Sequence, residues 1–174
     1  MRNFSKLSLV ALIGLLIPLT HAHAQAKEAE LPDSIHSKVV QLSRQGDSQS
    51  DDGHYREAVE KYIEAFELLP EPRTDWEAST RLLGAMGDAN FQSGNYQQAK
   101  AALSDAMKRP GAIGNPFLHL RLGQTQFELG NMERAKDELT RAYMGAGKEI
   151  FAQEDPKYFA HLKTVLRPPA NGEW

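Results

Sequence analysis

From residue 33 onward the apolar side chains fall at intervals of three and four, the period of a helix buried along one stripe. Ile35, Val39 and Leu42 open the first stripe, with Asp33 placed to cap it. This helix is expected to weaken after Gly46, because Asp47-Ser48-Gln49-Ser50-Asp51-Asp52 contains nothing apolar. A second helix is predicted from about His54 to Leu69, with Tyr55, Ala58, Val59, Tyr62, Ile63, Ala65, Phe66 and Leu69 inward, stopped by Pro70 and Pro72. Thr74-Asp75-Trp76-Glu77 spells a capping box, in which the Thr hydroxyl and the Glu carboxylate each take an orphan backbone N–H. It predicts a third helix from Thr74 to about Ser93, carrying Trp76, Leu82, Leu83, Met86 and Phe91. A fourth runs from Tyr96 to about Lys108, and Pro110-Gly111 ends it. Asn115-Pro116 is a cap followed by proline at the first helical position, where its missing N–H costs nothing. A last pair is predicted over 116–129 and 132–144, with Gly145 and Gly147 as stop signals. One more helix follows Asp155-Pro156, with Tyr158, Phe159, Leu162, Val165 and Leu166 as its apolar face.

Small residues impose a second, longer period on this pattern. Ala58, Ala99 and Ala135 each have a glycine twelve positions earlier (Gly46, Gly87, Gly123) and another five earlier (Gly53, Gly94, Gly130). Seven positions later each has a second alanine (Ala65, Ala106, Ala142). Glycine makes up only about 7% of an average chain, so complete agreement in three copies is not compositional. The unit is a pair of antiparallel helices repeated at spacings of 41 and 36 residues. Periods of that length belong to stacked helical arrays. A glycine inside a helix costs about 1 kcal/mol relative to alanine. Its recurrence at Gly46, Gly87 and Gly123 predicts that paired helices touch there, where a Cβ would push them apart. Gly53, Gly94 and Gly130 are assigned the turn inside each pair.

The pattern resembles the tetratricopeptide repeat. In the second copy the resemblance rests on Leu83, Met86, Gly87, Gly94-Asn95-Tyr96, Ala99, Leu103, Ala106 and Pro110. Leu122-Gly123, Phe127, Gly130-Asn131, Ala135, Leu139 and Ala142 carry it in the third. The first copy matches in its second half (Gly53-His54-Tyr55, Ala58, Tyr62, Ala65, Pro70) and is worn in its first, where Gln45 and Gln49 replace large apolar residues. His119 stands where the family often has tryptophan, and Met132 where it often has tyrosine. The resemblance implies an all-α, right-handed superhelical array of three repeats, about 33–72, 74–111 and 115–147, followed by a capping helix and tail over 148–174. It also implies a concave face built from the first helix of each pair. Mapped onto this chain, that face presents Val40, Ser43, Asp47 and Asp51, then Arg81, Asp88, Phe91 and Gln92, then Phe117, Leu120, Gln124, Phe127 and Glu128. Chaperone-tail receptors of the family grip a terminal carboxylate with lysines and asparagines in this groove. Arg81 is the one basic residue among those mapped, so a different ligand is expected.

Composition changes the picture at the N-terminus. Arg2 and Lys6 precede a 13-residue apolar run from Leu7 to Leu19, and Ala22-His23-Ala24 and Ala24-Gln25-Ala26 each offer a small-x-small cleavage site. That is the pattern of a secretory signal peptide over 1–26, too short to span a bilayer, followed by a polar lead-in over 27–32. Absence of cysteine rules out a lipoprotein anchor and any disulfide framework. Removing Arg2 and Lys6 leaves 18 basic residues against 23 acidic ones, a net charge of −5. An acidic chain without a basic patch is a poor ligand for nucleic acid. An exported chain is expected, periplasmic in a bacterium with an outer membrane and without stable membrane insertion once the leader is removed.

Chemistry-bearing residues are sparse. His21 and His23 lie in the leader, and His36, His54, His119 and His161 have no partner at metal-ligand spacing. His119 is therefore expected to be a packed histidine. Asp51-Asp52-Gly53-His54 falls on an interhelical turn with no nucleophile or orienting third group nearby. No cofactor is expected. The sequence thus points to a non-enzymatic adaptor that binds a protein partner of basic and apolar character through Asp47, Asp51, Arg81, Asp88, Phe91, Gln92, Phe117, Leu120, Gln124 and Phe127, the alternative for Phe127 being a cover by the chain's own C-terminal helix. An immunity protein that neutralises an exported toxin is the alternative, and an enzyme or metal carrier a remoter one. Self-association is a further expectation, since a worn terminal repeat can dock onto a second copy.

Overall fold

A computed structural model describes residues 31–168; the leader and the last six residues lie outside the described residues. Seven α-helices follow one another: α1 (Asp33–Asp51), α2 (Tyr55–Glu67), α3 (Glu77–Gln92), α4 (Tyr96–Ala106), α5 (Pro116–Glu128), α6 (Met132–Ala146) and α7 (Pro156–Lys163). Single 3-10 turns at Arg73–Asp75 and Lys148–Phe151 precede α3 and α7. There is no strand among the described residues. The helices pack as the pairs α1–α2, α3–α4 and α5–α6, each pair stacked on the next, and α7 covers the end of the last.

The small-residue repeat explains how the pairs close. All six repeat alanines, Ala58, Ala65, Ala99, Ala106, Ala135 and Ala142, have no exposed surface. The glycine twelve positions before each anchor meets the side chain four positions after it. A Cβ on Gly46 would lie 2.4 Å from the Tyr62 ring, and one on Gly87 would lie 2.4 Å from Leu103 Cγ. On Gly123 it would come within 2.8 Å of Leu139 Cγ and 2.9 Å of the Leu139 backbone nitrogen. Each pair is thus a large side chain of the second helix seated on bare backbone of the first. The turns inside the pairs are three copies of one motif. Gly53, Gly94 and Gly130 have φ of +79°, +77° and +76°. The following residue sends its N–H back five positions: His54 to Gln49, Asn95 to Asn90 and Asn131 to Gln126, each at 2.8 Å. That 6→1 bond is the Schellman closure.

Several boundaries differ from the sequence reading. No capping box forms at Thr74: its hydroxyl donates to Asp75 in the 3-10 turn, and α3 begins at Glu77 behind Trp76. The Trp76 indole is fixed by donating to the Pro70 carbonyl at 2.8 Å, so the segment is held by packing across the bend instead. Asp33 is the first residue of α1 and makes no cap bond. α1 does not weaken after Gly46 but runs unbroken to Asp51, because Tyr62 of α2 packs on Gly46 and bonds to Asp47. Gly145 is not a stop: it lies within α6, where a Cβ would meet Pro116 at 2.8 Å. The caps at Asn115 and Asp155 do form, accepting from the backbone N–H groups of Phe117 and Leu118 and of Lys157.

Candidate partner-binding groove

First helices present equivalent positions to the concave side. Counted back from the anchor alanines, Val40, Arg81 and Phe117 share one offset, as do Asp47, Asp88 and Gln124. Ser50, Phe91 and Phe127 share a third, and Asp51, Gln92 and Glu128 a fourth. The structure divides these rows into an open and a closed half.

The open half lies over α1, α3 and the start of α5. A cleft of about 390 Å³ is bounded by Asp47, Asp51, Arg81, Asp88 and Phe117. It continues into one of about 270 Å³ bounded by His36, Val40, Ser43 and Arg44, and both share Asp47, Tyr62, Arg81 and Ala85 as walls. Tyr62 donates its hydroxyl to Asp47 at 2.9 Å. Burial first, and then this bond and the charge of Asp47, push the Tyr62 phenol well above its usual range, so it stays a donor. Asp51 and Arg81 are exposed, and Phe117 is 39% exposed, a large aromatic ring facing solvent beside three carboxylates.

The closed half lies beneath residues 151–162. Leu120 and Gln124 are 1% and 0% exposed. Phe91 and Phe127 pack against a cluster formed by Phe151, Tyr158 and Leu162. Tyr158 packs against both rings, tilted on Phe91 at 6.4 Å between centroids and edge-to-face with Phe127 at 5.5 Å. These four residues of the expected groove therefore lie against the chain's own C-terminal segment, Leu120 and Gln124 buried and Phe91 and Phe127 half-buried. Gln92 stays exposed at the end of α3.

At the border sits Arg121, which sequence reasoning passed over. Its side chain is 5% exposed, and its Nε lies 2.7 Å from Asp88 Oδ1. Its Nη1 donates to Glu154 at 3.2 Å and to Gln124 at 2.8 Å. The guanidinium lies 4.6 Å from the Phe91 ring centre and 5.5 Å from that of Phe117. Burial raises the Asp88 carboxyl above its ordinary value, outweighing Arg121 and Gln92, which pull it down. Arg121 gave no sequence signal beyond being a charge between two leucines of α5, and its two carboxylate partners lie 33 residues away, one on each side.

His119 is a packed histidine: Nδ1 lies 2.6 Å from Glu138 and Nε2 lies 2.8 Å from the Ile113 carbonyl. Among the described residues no group of three or more His, Cys, Asp or Glu is arranged to hold a metal ion. None of the described helices is long and apolar enough to cross a membrane.

A tetratricopeptide repeat family model matches residues 118–144, which span most of α5 and α6. No curated protein matches the chain by sequence. Solved structures do match by shape. The Yersinia enterocolitica type III secretion chaperone SycD, in complex with a peptide of the translocator YopD, aligns with a TM-score of 0.58 and 18% identity, over 74% of this chain and 92% of that one. The second tetratricopeptide domain of human RPAP3, in complex with an HSP70 peptide, aligns with a TM-score of 0.56 and 16% identity, over 75% and 96%. The Sgt2 tetratricopeptide domain of Aspergillus fumigatus gives 0.57 and 17% identity, over 79% and 80%. The chain has the fold of a tetratricopeptide-repeat array, three helix pairs in a superhelix closed by a C-terminal helix, and carries a recognisable family repeat in its third pair.

Proposed function

We propose that this protein is an exported, non-enzymatic adaptor that holds a segment of a partner protein in the open half of its groove. The observation that carries this reading is the continuous cleft across α1, α3 and α5, which joins an exposed Phe117 to Asp47, Asp51 and Asp88. Aromatic side chains on a concave surface are the usual anchors of a bound segment, and truncating one costs 2 kcal/mol or more at a hot spot. The carboxylates favour Lys or Arg beside the partner's apolar residue, mainly by speeding association. Structures of the same shape hold peptides, as the SycD and RPAP3 complexes do, which supports the mode of binding without naming the partner here.

The groove reading is tested by capture from envelope extract with the mature protein, followed by calorimetry on the captured partner. Phe117→Ala should weaken binding by tenfold or more, and Asp51→Asn should lower the association rate more than it raises dissociation. Wild-type affinity in a folded Phe117→Ala protein would move the site to another face.

A further inference from the structure

The contact between residues 151–162 and the closed half of the groove carries more charged groups than the contacts inside the repeats. Within the pairs, bare glycine backbone meets Tyr62, Leu103 and Leu139, with polar bonds at Tyr62–Asp47 and His119–Glu138. Beneath the C-terminal segment, an apolar floor is ringed by charge. The Glu154 carboxylate is held by Arg121 at 3.2 and 3.4 Å and by the Gln124 amide at 2.8 Å. Tyr158 donates its hydroxyl to Glu128 at 2.6 Å, and Lys157 pairs with the same carboxylate at 2.8 Å. Its ring lies between Phe91 and Phe127, and Leu162 is fully buried below it. Glu154 and Glu128 at the edge of this contact are partly exposed, whereas Arg121 and Gln124 beneath are buried, so apolar packing is joined here by hydrogen bonds to charged groups, a mixture that protein–protein contacts also use. The segment is also the least self-supporting part of the array. α7 has eight residues, well below the length at which an isolated helix is stable.

We propose that residues 151–162 are a built-in occupant of the closed half of the groove, and that the site beneath them accepts the same chemistry from another chain. The occupant it fits is an acidic residue followed by an aromatic residue four positions later and a leucine four positions after that, as Glu154, Tyr158 and Leu162 are spaced here. Arg121 and Gln124 read the carboxylate, Phe91 and Phe127 hold the ring, and Glu128 takes the hydroxyl. The partner class is thus acidic and aromatic, opposite in charge to the one that suits the open half. This proposal stands apart from that reading, because either half can bind without the other.

Two measurements test it. In hydrogen exchange on the intact wild-type protein, amides of 157–163 should exchange at least tenfold faster than those of Leu120 and Leu139. Equal protection, with α7 opening only when α5 and α6 do, would sink the proposal. The second uses a fluorescent peptide of residues 150–166 and the full chain carrying Glu154→Ala and Tyr158→Ala. The peptide should bind this loosened chain at least tenfold tighter than it binds wild type, where the resident segment competes. Replacing Glu154 by alanine in the peptide should cost at least tenfold. A folded, loosened chain that ignores the peptide, or binds it equally well without the carboxylate, overturns the idea. Should the loosened chain not fold, the exchange result on wild type decides.

Discussion

At the scale of single residues, stability turns on three glycines whose conformations are ordinary and whose neighbours are not. Alanine is the better helix former by about 1 kcal/mol, so on propensity alone each replacement should help. Space argues the other way, because each added methyl would enter a seated side chain. Overpacking typically costs about 1–3 kcal/mol, and it should win at all three. The obstacle differs in kind, however. At Gly87 it is the Leu103 side chain, which can rotate, whereas at Gly123 it includes the Leu139 backbone nitrogen at 2.9 Å. Gly123→Ala should therefore destabilise more than Gly87→Ala, and the cost of Gly87→Ala should be smaller in a Leu103→Ala background than in wild type, although Leu103→Ala is itself destabilising. Urea denaturation of the singles and the double variant tests both statements. A raised midpoint for either glycine variant would mean that the helices do not cross there. Arg121 makes the complementary point about charge. Its place between Asp88 and Glu154 follows from three elements meeting, and the one partner within a helical turn of it, Gln124, does not by itself mark it out.

Among the elements, α7 is the one whose attachment depends most on titratable groups. Burial pulls the Glu128 carboxyl up, but hydrogen bonds from Lys157 and Tyr158 outweigh it and leave the group below its ordinary value. Asp155, which caps α7, is lowered chiefly by the Lys157 backbone N–H. Carboxyls lowered in the folded state contribute stability that is present above their ordinary values, near 4, and is lost as pH falls through the folded ones. Tyr158 works from the other side. Burial first, then the bond to Glu128, raise its phenol far above the usual 10.0. A group raised on folding contributes stability that is present below its ordinary value and lost as pH climbs past it. The melting temperature should therefore fall in acid below about pH 4 and in alkali above about pH 10. Tyr158→Phe should flatten the alkaline fall while lowering stability at neutral pH by roughly 1.5–3 kcal/mol, the usual worth of a hydrogen bond to a charged group. Tyr62, raised in the same direction, and Lys157, raised chiefly by its bond to Glu128, add to the alkaline loss, and Tyr62→Phe separates the two phenols. An alkaline limb unchanged by either substitution would remove the phenols from the account.

On the scale of the whole molecule, the groove is shorter than three first helices would allow, because the C-terminal segment occupies one end. Phe91 and Phe127 are the anchor candidates of the sequence, yet the exposed ring on this face is Phe117. Charge is unevenly shared along the same surface. Asp47, Asp51 and Asp88 border the open half with Arg44 and Arg81, while Arg121, at the border of the two halves, is buried between Asp88 and Glu154. Export, which the composition of residues 1–26 leads one to expect, is a property of the whole chain. N-terminal sequencing of the protein recovered from outside the inner membrane should begin near Lys27. Recovery with Met1 still attached in a membrane fraction would reject the signal-peptide reading.

Legibility in the sequence followed the range of the interaction responsible. Helix periodicity and the Schellman glycines are local, since each depends on residues within one or two turns, and they were readable without coordinates. So was the close approach at Gly46, Gly87 and Gly123, because repetition makes three tertiary contacts look like one periodic pattern. The Thr74 box misled for the converse reason. Its letters fit a cap, but the Trp76–Pro70 bond and the packing of the bend hold the segment in a 3-10 turn. α1 was expected to fade after Gly46 because its own residues offer no apolar stripe there, and only α2, lying across it, supplies the Tyr62 contact that keeps it helical. The closed half of the groove was the least legible feature. Which concave residues remain exposed depends on where residues 151–162 come to rest, and that is set by contacts about 30 residues apart: Arg121 with Glu154, and Glu128 with Tyr158. By itself the sequence determined the repeat, its turns and the helix crossings, because these recur. Tertiary structure alone decided which part of the surface is free to bind, because the terminal contact occurs once and has no period to reveal it.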